Sequence, residues 1–274
     1  MFGKYVDQVR KEKPLIHNIT NYVTVNDVAN VLLAIGGSPI MADDKLEVEE
    51  ITSLCNGLVI NIGTLNQRTI ESMKLAATKA KELNHALVLD PVGAGASSLR
   101  TKTALDLINQ TTFDVIRGNL SEIKTLMEGQ GKTQGVDASA DDNITEDNID
   151  ELIHRLGEFS KEMGSIIAVT GAVDIITDGT QGILIYNGKK EMGQITGTGC
   201  QLSALIGAFV AANPKNKLEA TAAAIGTMGL AGDLAFEALQ EHEGNISYRN
   251  RIIDTIYHMK GKDLDQGVQY DIKR

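Results

Sequence analysis

Tryptophan is missing from this 274-residue chain, and aromatic side chains of all kinds make up only 4% of it. Stacking platforms for single-stranded nucleic acid are built from such side chains, so that class of function is disfavoured at once. Positive charge is short as well. Lys and Arg number 26 against 36 Asp and Glu, a formal net charge of −10, which argues against a partner held by its phosphate backbone. A nucleotide is not excluded, because a few phosphates can be bound locally by backbone amides and a metal. Cysteine is limited to Cys55 and Cys200, far apart and without metal-ligand spacing. A disulfide framework is therefore not expected, and a reducing cytoplasm is the better default. The first seven residues lack the apolar core of a signal peptide. No apolar run is long and unbroken enough to span a bilayer; residues 201–212 come closest and read as a buried helix. The expectation is a soluble cytoplasmic protein with neither a nucleic-acid nor a membrane partner.

What is present is ordinary globular composition, 42% hydrophobic and 23% charged, over a length that can bury a core without staples. Residues 2–12 read as a helix ending before Pro14, and the segment after Pro14 as a strand running into a polar turn. Asn26-Asp27 can cap a helix over 28–35 that Gly36-Gly37 stops. From there β and α alternate. Helices are expected over 47–56, 67–83, 98–109, 121–128 and 148–163, and strands over 57–62, 86–89, 114–117 and 165–170. Residues 174–177 and 182–186 look like paired strands around an Asp178-Gly179 turn. Helices over 201–212, 217–239 and 246–259 follow, with a polar and peripheral last dozen residues. No composition break or linker divides the chain, so one domain over 1–274 is expected, a mostly parallel buried sheet covered by helices on both faces. The acidic stretch 137–150 lacks the ligand spacing, central glycine and closing glutamate of a calcium loop and reads as a solvated loop and helix start.

Chemistry concentrates around Ile195-Thr196-Gly197-Thr198-Gly199-Cys200, which runs straight into an alanine-rich helix. Glycines let backbone N–H groups face a ligand, and the free amides and dipole of a helix start suit an anion. A cysteine there has its thiolate favoured. In such a sheet the ligand sits beyond the carboxyl ends of the strands, where Asn61-Ile62-Gly63, Asp90, Arg117-Gly118-Asn119 and Thr170-Gly171 also fall. Asp90 and Glu122 could hold Mg²⁺ against a phosphate. Their plainer readings are a turn residue before Pro91 and a favourable charge in a first helical turn; taken together beside an anion hole, the metal is preferred.

Arg117 suits bidentate grip of a phosphate or a structural ion pair, about equally. Thr170 offers a hydroxyl to a nucleotide or simply ends a strand. Gly93-Ala94-Gly95 lacks both the third glycine of the dinucleotide fingerprint and the Gly-Lys-Ser/Thr of the P-loop, so hydride transfer is disfavoured. Cys200 has no local histidine signature for a nucleophile and is a modest base. Against the alternative of a small packing residue, function is preferred for Cys200 and packing for Cys55.

Two blocks go beyond a generic α/β reading. Residues 19–30 (Ile-Thr-Asn-Tyr-Val-Thr-Val-Asn-Asp-Val-Ala-Asn), continuing through Gly36-Gly37-Ser38-Pro39-Ile40-Met41-Ala42-Asp43-Asp44, resemble the N-terminal signature of the hydroxyethylthiazole kinase family. Asp90-Pro91-Val92-Gly93-Ala94-Gly95-Ala96, Arg117-Gly118-Asn119-Leu120-Ser121-Glu122-Ile123 and Gly197-Thr198-Gly199-Cys200 are similar to the same family in the same order. The similarity spans about residues 14–240; the Gly-Thr-Gly element alone would indicate only the wider ribokinase-like superfamily. The resemblance implies a three-layer α/β/α ribokinase-like fold and ATP-dependent phosphorylation of the hydroxyl of 4-methyl-5-(2-hydroxyethyl)thiazole, a step toward thiamine diphosphate. It also implies Mg²⁺ and a homotrimer with active sites between subunits. By position it makes Arg117 and Thr170 ATP contacts, and Met41 and Gly197 thiazole contacts with Asn21 and Gly63 as further pocket residues. Asp90 and Glu122 become the Mg²⁺–phosphate carboxylates, and Cys200 stands where many ribokinase-like kinases carry an aspartate base. Two other readings share parts of this pattern: a sister kinase acting on the hydroxymethylpyrimidine half of thiamine, and a non-catalytic thiazole- or nucleotide-binding regulator.

Overall fold

Short apolar runs bounded by turn residues become strands buried on both faces, and helices supply the two covers. The computed structural model describes residues 1–129 and 148–273. The chain begins α1 (Gly3–Glu12), β1 (Leu15–Ile19), α2 (Val25–Ile35), β2 (Ser38–Ile40), α3 (Val48–Leu54), β3 (Gly57–Asn61) and α4 (Gln67–Glu82). It continues β4 (Ala86–Asp90), α5 (Ser98–Gln110), β5 (Val115–Asn119), α6 (Leu120–Glu128), α7 (Ile149–Met163), β6 (Ile166–Thr170), β7 (Asp174–Thr177) and β8 (Gly182–Ile185). A 3-10 turn (Lys190–Gln194) precedes α8 (Thr198–Ala212), α9 (Lys217–Glu237), α10 (Asn245–His258), α11 (Gly261–Gly267) and β9 (Tyr270–Lys273).

The nine strands form one sheet in the order β2-β1-β3-β4-β5-β6-β7-β8-β9. The pairs from β2 to β6 are parallel and those from β6 to β9 antiparallel. Successive strand residues alternate between the covers. Val59, Val88 and Val115 meet Leu32, Leu205, Phe209 and Ile225 on one side. Leu58, Ile60, Leu87, Leu89 and Ile116 meet Met73, Ala76, Leu107, Ile123 and Leu156 on the other. Each large side chain fully buried this way contributes roughly 1.5–3 kcal/mol, so the two cores tie both helix layers to the sheet. The expected three-layer α/β/α architecture is what forms.

The central helix of the first layer is α8. It is apolar almost all round and buried along nearly its whole length, as expected of a helix enclosed by neighbours. Gly207 lets it lie directly on the sheet, since a Cβ there would stand 2.5 Å from Val59 Cγ2. Ser203 meets Asp90 at the carboxyl end of β4 while Gly207 meets the middle of β3, so α8 runs against the strands. Its first turn therefore sits over their carboxyl ends.

Several boundaries differ from the sequence reading. The first turn of α8 begins at Thr198, with Gly197 as N-cap, three residues before the expected 201. The start of α2 is Val25 with Thr24 as N-cap, so Asn26 and Asp27 lie inside the helix and do not cap it. The last dozen residues are not merely peripheral tail: α11 buries Leu264, and β9 adds an exposed antiparallel edge to β8. Its polar sequence hid it because an edge strand needs no apolar alternation. Most of the acidic stretch 137–150, up to residue 147, lies outside the described residues.

Candidate active site

The parallel strands end along one edge, and the candidate residues end with them. Asn61 closes β3, Asp90 closes β4, Asn119 closes β5 and Thr170 closes β6, while Met41 directly follows β2. Above this row stands the first turn of α8. Its opening N–H groups have no acceptor within the helix; the first backbone bond back to the cap runs from Gln201 N–H to Gly197 carbonyl, 2.9 Å. Gly197 takes φ +88°, a conformation that only glycine adopts freely. A Cβ on it would also fall 2.4 Å from Thr24 Cγ2, so the turn after β1 and the start of α8 are packed to the limit.

Arg117 binds this edge together. Its side chain is 11% exposed and donates to Thr170 Oγ1, and its Nη1 lies 3.7 Å from Asp90 Oδ1. The same guanidinium rests on Gly199, where a Cβ would be 2.7 Å from Nη1. Both readings of Arg117 thus meet in one geometry, an ion pair beneath and a cationic fork beside a helix N-terminus.

Asp90 is wholly buried. Its Oδ2 accepts hydrogen bonds from Asn61 Nδ2 and Ser203 Oγ, each 2.8 Å, while its Oδ1 has no hydrogen-bond partner. Burial pushes its carboxyl up to about 6, Arg117 opposing and Glu122 adding to the rise. Glu122 is differently placed. One oxygen accepts from Gly93 N–H and the other from Asn119 N–H, both 2.8 Å, and Asn119 caps the helix in return. The plain reading of Glu122 as a first-turn charge is correct as far as it goes, because its carboxylate completes a capping box. It also pins the loop after Asp90.

A second chain of contacts leads to Cys200. Asn21 Nδ2 donates to Cys200 Sγ and to Asn61 Oδ1, each 3.1 Å. The amide orientations are set by backbone donors: Thr24 N–H reaches Asn21 Oδ1 at 3.1 Å, and Gly63 N–H reaches Asn61 Oδ1 at 3.0 Å. Asp90, Asn61, Asn21 and Cys200 therefore form one connected network. Burial, and then the nearby Asp90 carboxylate, push the Cys200 thiol up from its ordinary range. This differs from the expectation that the helix start favours its thiolate: desolvation and Asp90 raise it more than the hydrogen bonds from Thr24, Asn21 and Asn61 lower it. Cys55 is a packing residue as expected, its buried thiol donating to Ile51 carbonyl and pushed up to about 11.

Met41 follows the outer strand β2 and is half-buried against the core. Its loop is held by His17, which is fully buried, with Nε2 2.8 Å from Ala42 carbonyl and Nδ1 3.0 Å from Thr52 Oγ1. On the other side of Arg117 a cavity of about 600 Å³ opens. Its lining includes the polar Arg117, Thr170, Asp174 and Lys189 and the apolar Met192, Leu202, Ile225 and Met228. Gly229 and Gly232 admit the 187–192 segment against α9, where a Cβ would stand 2.7 Å from Asn187 carbonyl and 2.3 Å from Met192 Sδ.

Sequence reasoning missed Ser203, Thr24, His17 and Asp174 as parts of this site. The first lies one helical turn after Cys200, a spacing that was readable once α8 was known to start at Thr198. Thr24 lies three residues after Asn21, a local relationship that was readable; His17 and Asp174 reach the site only through sheet order, for which no local signal exists. Among the described residues no group of three or more His, Cys, Asp or Glu converges as a metal cage.

A helix N-terminus and a largely buried arginine over the carboxyl edge of a largely parallel sheet, with a cavity alongside, are the parts of a phosphoryl-transfer enzyme of the ribokinase-like kind. The pyridoxal kinase of Staphylococcus aureus, solved with AMP-PCP and pyridoxal, shares the fold with a TM-score of 0.63 at 15% identity, over 95% of this chain and 98% of that one. The particular family is closer. Residues 6–262 match the hydroxyethylthiazole kinase family profile. Hydroxyethylthiazole kinase of Clostridium acetobutylicum is 53% identical over 99% of both chains, and that of Ruminiclostridium cellulolyticum 48% identical over 93% of this chain and 92% of the relative. The solved hydroxyethylthiazole kinase of Pyrococcus horikoshii superposes with a TM-score of 0.88 at 36% identity, over 100% of this chain and 99% of that one. The chain belongs to the hydroxyethylthiazole kinase family and is a kinase.

Proposed function

We propose that the protein transfers the γ-phosphoryl group of ATP to the hydroxyl of 4-methyl-5-(2-hydroxyethyl)thiazole, in the salvage of thiamine precursors. The observation that carries this reading is the meeting of Arg117 with the first turn of α8 at the mouth of the cavity. Phosphoryl transfer needs positioning and charge stabilisation more than covalent help from the protein. The N–H groups of Thr198, Gly199 and Cys200 stabilise the charge that develops on the transferring group. Arg117 and Thr170 hold the phosphates, and the apolar part of the cavity around Ile225 and Met228 takes the base. The alcohol sits on the opposite side of α8's first turn, among Asn21, Met41, Gly63 and Gly197. Cys200 stands beside it, its sulfur accepting the Asn21 N–H. With its thiol held high, Cys200 orients the hydroxyl rather than removing its proton ahead of transfer.

The donor set fits Mg²⁺. That ion is held by one or two carboxylates with water and substrate phosphates completing the shell, so a cage of protein ligands is not required. Asp90 Oδ1, buried without a hydrogen bond and only ion-paired to Arg117, is the open oxygen; Glu122, both of whose oxygens already accept an N–H, would act through water. Bound there, the ion would offset phosphate charge.

A homotrimer with active sites between subunits is supported by Tyr22, Val23, Leu33, Leu46 and Leu54. All five are exposed and fall between the end of β1 and the end of α3, Leu46 exposed by 88% and Tyr22 by 77%. Sedimentation analysis tests it, a single monomeric species counting against. Two unpaired thiols are in keeping with a cytoplasmic setting, and among the described residues no helix is long and apolar enough to cross a membrane. Coupled ATP turnover with the thiazole alcohol, with and without Mg²⁺, tests the activity; binding without turnover would leave a regulator and overturn the reading.

A further inference from the structure

The cavity beside Arg117 sorts its lining by chemistry. Donors (Arg117, Lys189, Lys190 and the start of α8) suit phosphates, and Met192, Leu202, Ile225 and Met228 suit a flat base. One residue fits neither. Asp174 is the only carboxylate that lines this cavity among the described residues, and an anion facing an anionic ligand is unfavourable unless it meets a donor.

Its geometry says where the donor must come from. Asp174 opens β7, one short loop after Thr170, which receives the Arg117 hydrogen bond. One carboxylate oxygen, Oδ1, accepts from Gly171 N–H at 3.0 Å. The other has no hydrogen-bond partner among the described residues. An ionised carboxylate only accepts, and a nucleotide offers donors in two places, the sugar hydroxyls and, in adenine, the exocyclic amine. The sugar lies between phosphates and base. Asp174 follows Thr170 by four residues and is near enough to Arg117 for the two charges to interact, so the sugar, which adjoins the phosphates, is the part within its reach.

Resting on the ATP reading above, we propose that Asp174 accepts a hydrogen bond from a ribose hydroxyl of the nucleotide and makes the enzyme discriminate against deoxyribonucleotides. A carboxylate short of donors is what its environment shows: burial pushes Asp174 up to about 7, against the Gly171 N–H and Arg117, which pull it down. A site built to bond a hydroxyl rejects the analogue lacking it, because its half-buried acceptor then loses that donor.

The test compares KM for ATP, 2′-deoxy-ATP, 3′-deoxy-ATP and purine riboside triphosphate, which lacks the amine, in wild type, Asp174→Ala and Asp174→Asn. In wild type at least one deoxy form is expected to raise KM by roughly 10-fold or more, the size of a lost hydrogen bond to a charged group. In Asp174→Ala that ratio falls to near one. Asp174→Asn keeps an acceptor for Gly171 N–H and so guards against mere loss of the loop contact; the ratio shrinks there too. Equal KM for ATP and both deoxy forms in wild type overturns the proposal, as does a ratio undiminished in the two variants. A penalty confined to purine riboside triphosphate assigns Asp174 to the base instead and equally overturns it. Failure of the ATP reading itself is distinguishable, since wild type would then turn over none of the four.

Discussion

The guanidinium of Arg117 rests on the backbone of Gly199, so closely that a Cβ at position 199 would lie 2.7 Å from Nη1 and 3.1 Å from Nη2. A phosphate-binding fork is thereby held against the helix start that shares its anion. Gly199→Ala should separate stability from activity. Alanine is favoured over glycine in a helix by about 1 kcal/mol, and the atoms it meets are the far end of a flexible side chain. The melting temperature is expected to change little, this gain being set against the Asp90 contact that Arg117 gives up. Displaced from Thr170 and Asp90, Arg117 would lose its aim, and kcat/KM for ATP should fall by roughly the 10²–10³-fold typical of one misplaced donor. Unaltered ATP kinetics in the folded variant would show that Arg117 does not need this seat.

Two residues earlier the same substitution should behave differently. Gly197 has φ +88° and faces Thr24 Cγ2, where a Cβ would be 2.4 Å away. Gly197→Ala carries the left-handed penalty of about 1–2 kcal/mol, and Thr24 cannot yield without disturbing Asn21, to which its hydroxyl donates at 3.0 Å. Both thermal stability and activity are expected to fall. Circular-dichroism melting beside rate measurements checks this; a melting temperature equal to wild type would contradict the packing described.

Cys200 carries a raised thiol pKa, from burial first and Asp90 second. It is therefore protonated at neutral pH. Cys200→Ser should retain turnover, with a loss at or below the roughly 10²–10⁴-fold of a general base, and should leave the neutral part of the pH–rate profile unmoved. Alkylation of Cys200 by iodoacetamide should be slower than that of free cysteine at pH 7. An inflection near neutrality that disappears in Cys200→Ser would restore the thiolate base.

His17 links stability to pH through the loop that carries Met41. Burial lowers its pKa below the ordinary 6.5, with the Ala42 contact opposing. The unfolded chain then binds the proton more readily, so this histidine's contribution to stability is present above about pH 6.5 and is lost as the pH falls below it. In His17→Gln, which retains groups for Ala42 carbonyl and Thr52, the decline in melting temperature between pH 7 and 5 should be shallower than in wild type. Parallel declines would mean that His17 protonates in place.

Much of this was readable from the chain. Parallel strands buried on both faces become continuous apolar runs, so Leu58-Val59-Ile60 and Leu87-Val88-Leu89 declared themselves, as did the glycine-rich approach to α8. Family resemblance named Asp90, Arg117 and Thr170, and the fold brings those three into contact. The edge strand Tyr270–Lys273 was illegible because exposure frees it from any pattern. Asp174 and Ser203 were missed because their meaning comes from what they face across the fold: a cavity in one case and the buried Asp90 in the other. For Cys200 the local rule pointed the wrong way. A helix start favours a thiolate, but partial burial and the neighbouring Asp90 carboxylate push this thiol the other way.

The most direct measurement is ATP consumption, coupled to a spectrophotometric readout, with 4-methyl-5-(2-hydroxyethyl)thiazole and hydroxymethylpyrimidine offered separately in the presence and absence of Mg²⁺. Mg²⁺-dependent turnover with the thiazole alcohol, and little with the pyrimidine, is the expected result. Turnover with the pyrimidine alone, or thiazole binding with no ATP consumed, would contradict a thiazole kinase built on Arg117 and the first turn of α8.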